Sequence, residues 1–236
     1  MRNAWTIMRR ELMAYFVSPI AYVVTALFLA LHGYMFSLIL FFSQEATMRY
    51  LFGTMTTVLL FIAPVLAMRL LAEEYRSGTI ELLLTAPLRD WELVLGKWLA
   101  SVALWAVMLL FTLVYPYFLY LYGPPDWGPV VSGYVGIFLF GAALLALGTL
   151  ASALTENQIV AAILGTVFTV GLWVLRGAGD LLGGTLSRVV NYIALADHTM
   201  DFTRGVVDTR DLLYFMSVMV LALFLATRAV EVRRMQ

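Results

Sequence analysis

Three groups of residues in this chain are of the types from which chemistry is built. Asp197, His198 and Asp201 stand close together, with Asp208 shortly after, and carboxylates beside an imidazole are metal-ligand types. Solvation of a polar loop explains that run as well, so it is not read as a metal site. His32 stands alone inside an apolar stretch, where a packed or hydrogen-bonded imidazole is the ordinary outcome. The only lysine, Lys97, sits in Leu95-Gly96-Lys97-Trp98, which lacks the framing glycines and the Ser/Thr of a phosphate-binding loop. Without Walker motifs the chain is not expected to hydrolyse ATP. No catalytic, cofactor-binding or metal-binding residue is assigned to it.

The elements that carry these residues are dictated by composition. Of 236 residues, 62% are hydrophobic and 13% charged. A soluble domain carries roughly 45–50% apolar and about 25% charged residues, so lipid must be the solvent for much of this chain. Net charge is zero, which excludes the basic field that nucleic acid binding requires. There is no cysteine, which removes disulfides, thiolate catalysis and Cys-based metal sites. The start does not read as a cleavable signal peptide, because Arg9 and Arg10 precede an apolar run too long for an h-region.

A helix crosses a bilayer with about 20 mostly apolar residues. Six stretches qualify, at about 20–42, 50–71, 97–122, 130–153, 158–176 and 211–229. With the N-terminus inside, Arg2, Arg9, Arg10, Arg69, Arg76, Arg89, Lys97, Arg228, Arg233 and Arg234 lie in the cytoplasm. Arg49, Arg176, Arg188, Arg204 and Arg210 then lie outside. That excess favours both termini inside, as an even number of spans requires. One membrane domain, residues 1–236, is the expected organisation.

Three segments outside the spans carry their own signals. In residues 1–18, Trp5, Met8, Leu12 and Tyr15 or Phe16 recur at spacings of three and four, with Arg9 and Arg10 on the other side. That pattern predicts an interfacial amphipathic helix, broken at Ser18-Pro19. In 72–91, Gly78 is placed to end a helix leaving the second span. A short helix from about Thr79 to Ala86 follows, with Glu81 in its first turn, Pro87 stopping it and Asp90 as N-cap of the next helix. Its leucines beside acids suit a protein partner better than water. In 177–210, a glycine-rich stretch precedes an apolar one, Leu186 to Ala196, which reads as an outer re-entrant or interfacial helix. It is too short and interrupted for a seventh span.

Within the spans, Ser132/Gly136 and Gly148/Ser152 have the small-xxx-small spacing that lets helices approach closely. Tyr115, Tyr117, Tyr120, Tyr122 and Trp127 read as an interfacial aromatic belt. The spans hold few charges, which argues against an intramembrane enzyme or an ion pump.

The segment Glu73-Glu74-x-Arg76-x-Gly78-Thr79-Ile80-Glu81-Leu82-Leu83-Leu84-Thr85-x-Pro87 resembles the stretch after the second span of ABC-2-type transporter permeases. The N-terminal Arg-Arg-Glu-Leu with Ser18-Pro19 is similar to that family's interfacial helix. Leu95-Gly96-Lys97, the run from Leu154 to Ala161 and the run from Arg204 to Phe215 resemble the gliding-motility-associated permease subunit. The resemblance covers nearly the whole chain. It implies an all-α fold of the type V exporter kind, in a dimer of six-span subunits with two cytoplasmic ATP-binding subunits.

The same resemblance makes the 79–86 helix a cytoplasmic coupling helix between spans two and three. Glu73, Glu74, Arg76, Gly78, Thr79, Glu81, Leu82, Leu84, Thr85 and Pro87 would contact the ATPase, and Trp5, Arg9, Arg10 and Leu12 would form the interfacial helix. ATP and magnesium would stay on the partner, and no cofactor would bind this chain. The expected function is export of an amphipathic or lipid-linked cargo across the cytoplasmic membrane, with an extracytoplasmic auxiliary subunit as a further partner. The competing expectation is a mechanotransmitter that moves an outer partner and transports nothing.

Overall fold

The structure is a computed structural model and describes residues 2–43, 45–79, 88–182 and 184–234. It is helical throughout the described residues. The elements are α1 (Arg2–Val17), α2 (Pro19–Ser43), α3 (Arg49–Ala67), α4 (Ala72–Ser77), α5 (Asp90–Thr112) and α6 (Val114–Tyr122). Then come α7 (Trp127–Ala153), α8 (Gln158–Leu182), α9 (Gly184–Ile193), α10 (Asp197–Thr203) and α11 (Thr209–Arg234). Six segments are long and apolar enough to cross a membrane: Ala21–Ser43, Arg49–Ser77, Asp90–Tyr122, Trp127–Ala153, Gln158–Gly179 and Thr209–Arg233. They match the six stretches expected from hydropathy. The expected helix over 79–86, with Glu81, Leu82, Leu84, Thr85 and Pro87, lies outside the described residues apart from Thr79.

The central element is α7, whose apolar window is 72% buried, against 17% for the first and fifth spans. α3, α8, α11 and α5 pack around it. The small residues expected to permit close packing are spent inside the molecule. Gly148 meets Ala67 on α3, and Ser132 donates to the Phe202 carbonyl on α10 at 2.6 Å. Trp105, Phe140, Phe52 and Phe28 fill the centre, fully buried.

Two spans contain proline in their interior, where it removes a backbone N–H and frees the carbonyl four residues earlier. In lipid an unmatched carbonyl is costly. Pro64 frees the Leu60 carbonyl, and Thr169 of α8 donates its hydroxyl to it at 2.8 Å. Pro116 frees the Thr112 carbonyl where α5 gives way to α6, and the Tyr134 phenol of α7 donates to it at 2.9 Å. In each case a neighbouring helix fills the gap.

The first described helix and the end of the last one lie at the same end of the bundle, with Ile7 and Val230 in one apolar cluster. Asn3 of α1 reaches Glu92 of α5 at 3.0 Å, and Arg233 of α11 reaches the Leu154 carbonyl at 2.8 Å. At the opposite end, α8 runs six residues past the expected limit of 176, and α9 folds back along it. The Leu195 N–H then donates to the Leu172 carbonyl, so the hairpin returns deep along α8. The segment expected outside is therefore two helices, α9 and α10, with the latter seated on α7.

Of the aromatic belt, Tyr117, Tyr120, Tyr122 and Trp127 are exposed as a belt requires. Tyr115 is not part of it. It is buried and donates to the Leu29 carbonyl at 3.1 Å, stitching α6 to α2.

Candidate functional site

The site grows from a break in the second span. Between α3 and α4 the chain turns over residues 68–71, which frees backbone groups in the interior. Ser152 of α7 closes the gap. Its hydroxyl accepts from the N–H groups of Leu71 and Ala72, both at 3.0 Å, and donates to the Met68 carbonyl at 2.9 Å. One hydroxyl has two acceptor lone pairs and one hydrogen, so its capacity is fully used. α4 then ends as expected at Gly78, whose φ of 71° is left-handed and whose N–H bonds the Tyr75 carbonyl. After the undescribed residues, α5 starts at Asp90 itself, so the cap falls one residue before the expected one. Arg89 takes the N-cap position, and the Glu92 carboxylate accepts from its N–H at 3.4 Å, leaving Asp90 inside the first turn.

Where α1 crosses α5, a Cβ on Gly96 would stand 2.8 Å from the Ala4 carbonyl oxygen and 2.9 Å from the Ile7 Cβ. Only glycine permits that approach. It brings the next residue, Lys97, under α1. Lys97 is 2% exposed, with Nζ 2.7 Å from Glu74 Oε1 and 3.2 Å from Glu11 Oε1. Arg10 Nη2 lies 3.2 Å from Glu11 Oε1 and 3.4 Å from Glu74 Oε1 at the cluster's wet edge. One buried ammonium thus ties together the first helix, the segment leaving the second span and the start of the third.

Beside this cluster the Tyr15 phenol donates to the Leu66 carbonyl at 3.1 Å, and the Arg69 guanidinium lies 4.4 Å from the centre of its ring. Burial pushes the Tyr15 phenol up to about 12, and Arg69 opposes the shift. A cavity of about 280 Å³ opens between Glu11, Tyr15, Arg69, Glu73, Glu74 and Lys97. With Glu11 and Glu74 both paired to cations, this arrangement is a charge cluster joining three helices, termed the joint.

The expected contact residues divide. Glu73, Arg76, Gly78 and Thr79 are exposed together at the end of α4. Glu74 is buried and turned inward to Lys97, because α4 presents that side to α1 and α5. In α1, Arg9 and Arg10 are exposed and Leu12 is half-buried, but Trp5 is 65% exposed and outside the packed face. The packed face is Ala4, Ile7, Glu11 and Tyr15. The joint was missed in the sequence because its members are far apart along the chain. Its one local signal was a lone lysine directly after a glycine near the start of a span.

At the opposite end, the run from Asp197 to Asp201 does not converge. Asp197 pairs with Arg176 at 3.0 Å, whereas His198 turns to Asp211 on α11, with Nδ1 2.6 Å from Oδ1. His198 Nε2 is 2.9 Å from the Tyr192 carbonyl oxygen. His32 is fully buried with Nδ1 2.7 Å from the Phe28 carbonyl, packed between the Phe28 ring and its surroundings.

Six apolar spans define a multi-pass membrane protein, with a buried charge cluster tying the second and third spans to the first helix. The chain belongs to the ABC-2 family of transporter proteins: the family model, described as ABC-2 family transporter protein, matches residues 7–230. A search of the curated proteins finds no match. Members of this family are the membrane permease components of ATP-binding cassette transporters, work with a cytoplasmic ATPase and are generally not ATPases themselves.

Proposed function

We propose that this chain is an export permease of the cytoplasmic membrane, with both termini and the α4 end in the cytoplasm. In this reading a separate ATPase docks on residues 73–91 and binds all the ATP and magnesium. The observation that carries it is the family match across residues 7–230. Exposed Glu73, Arg76, Gly78 and Thr79 are contacts for the ATPase, and Glu81, Leu82, Leu84, Thr85 and Pro87, outside the described residues, are its further contacts in this reading. Glu74 serves from behind, through Lys97. ATP binding favours one arrangement of the ATPase, and a push on the loop then reaches spans two and three together through the joint.

The groove between α7 and α8, lined by Leu147, Leu150, Val167, Phe168, Gly171 and Leu172, offers only apolar surface. That favours an amphipathic or lipid-linked cargo over a hydrated ion. The working unit is a pair of permease subunits, identical or related, with an extracytoplasmic auxiliary subunit as a further partner.

Glu81→Lys and Leu84→Asp in the purified complex should abolish stimulation of the ATPase while the permease keeps its melting temperature. Wild-type binding and stimulation in both variants would remove the docking assignment. The mechanotransmitter reading is separated by assay in sealed vesicles, where ATP-dependent accumulation of cargo is expected only of an exporter.

A further inference from the structure

Both ring nitrogens of His198 face oxygen, and together the contacts join three helices. Nδ1 is 2.6 Å from Asp211 Oδ1 in the first turn of α11, and Nε2 is 2.9 Å from the carbonyl oxygen of Tyr192 on α9. A carbonyl oxygen only accepts, so Nε2 must carry a hydrogen. The contact with Asp211 also needs a proton, since two bare lone pairs at that separation repel. Whichever group formally owns it, His198 and Asp211 together hold two protons in this arrangement. Separated and hydrated near neutral pH, an ordinary aspartate and imidazole hold one between them. Closing the contact therefore takes up one proton.

We propose that His198 and Asp211 form a proton-binding site whose occupancy latches the α9–α10 segment onto α11. The latch is a property of the fold and holds whichever way the chain is oriented.

The surroundings favour the protonated arrangement. The Tyr214 ring stacks on the imidazole with centroids 3.8 Å apart and planes at 15°, a face that attracts a cation. The Tyr214 hydroxyl donates to the Ile193 carbonyl at 2.6 Å, so the stack also pins the end of α9. Asp211 Oδ2 is buried with no hydrogen-bond partner, which leaves Oδ1 and His198 to satisfy the carboxylate. The other charged groups nearby are engaged elsewhere or face outward. Arg176 of α8 holds Asp197, Arg49 of α3 donates to the Thr203 carbonyl at 3.3 Å, and Asp208 accepts from the Arg210 N–H at 2.8 Å. Arg188 of α9 and the Arg210 side chain are exposed, and α7 contributes the neutral Ser132. A neutral imidazole cannot serve both oxygens. It must turn a lone pair either to the carbonyl or to the carboxylate. Because closing the contact takes up one proton, the ratio of latched to released segment should fall as pH rises, by up to about tenfold per pH unit.

The chain lacks cysteine, so Leu186→Cys on α9 and Val131→Cys on α7, both exposed, can be spin-labelled without further change. Distances would be measured on the full chain in lipid nanodiscs between about pH 5.5 and 8.5. The expected result is one short distance at low pH and a growing long population as pH rises. Asp211→Asn should stay latched at high pH, because the Asn amide donates to the bare Nδ1 of a neutral imidazole while Nε2–H keeps the Tyr192 carbonyl. A distance unchanged with pH in the unmutated background would overturn the proposal. So would the unmutated pH response in Asp211→Asn, or a segment loosened at every pH in that variant, as a plain structural ion pair predicts.

Discussion

Lys97 is a buried cation and would be a severe liability alone. Two carboxylates from different helices make it tolerable. Removing one partner of a buried pair is strongly destabilising, whereas replacing all members with apolar groups is often neutral. Lys97→Met should therefore lower stability by about 3 kcal/mol, since it leaves Glu74 and Glu11 buried against too little positive charge. Adding Glu74→Gln and Glu11→Gln should recover much of that loss. Thermal unfolding of the wild type, Lys97→Met, the Glu11→Gln/Glu74→Gln pair and the triple variant in one detergent measures the coupling, and additive losses would refute the joint. Coupling to the ATPase should stay impaired in the recovered triple variant, which separates stability from transmission.

The spans tolerate irregularity only where a neighbour repairs it. Thr169 serves the carbonyl freed by Pro64 and Tyr134 the one freed by Pro116. Tyr134→Phe should cost about 1–3 kcal/mol by leaving the Thr112 carbonyl unmatched in the interior. Pro116→Ala restores the missing backbone N–H, so Tyr134→Phe should cost clearly less in that background. Equal costs in both backgrounds, read by unfolding in detergent, would show that the phenol does not compensate the proline. The break after α3 follows the same logic, with Ser152 standing in for three backbone groups at once. Irregular backbone is kept at these points because a packed neighbour supplies the hydrogen bonds that lipid cannot.

For the molecule as a whole, the α1–α4 end and the α9–α10 end are chemically distinct. Arg9, Arg10, Arg69, Arg76, Lys97 and Arg233 cluster at the first, and exposed tyrosines and the folded-back hairpin mark the second. On the positive-inside tendency, the proposed orientation puts the first in the cytoplasm. Thr79→Cys should accordingly resist a membrane-impermeant maleimide in intact cells, and Leu186→Cys should react. The reverse pattern would invert the orientation and with it the docking surface.

Hydropathy and residue pattern were enough for the number of spans, the break at Ser18-Pro19, the helix stop at Gly78 and the close packing of the Gly148/Ser152 pair. These follow from local rules: how many apolar residues cross a bilayer, what φ a residue tolerates, how near two backbones come. Which acid meets Lys97 was beyond such rules, because Glu11 and Glu74 lie 86 and 23 residues away and share its site only after α1 crosses α5 at Gly96. The same holds for His198, which the sequence places in a polar run with Asp197 and Asp201 while the fold pairs it with Asp211. Charges in an apolar interior pair with whatever the packing brings within reach, and packing is settled by the whole chain rather than by any stretch of it.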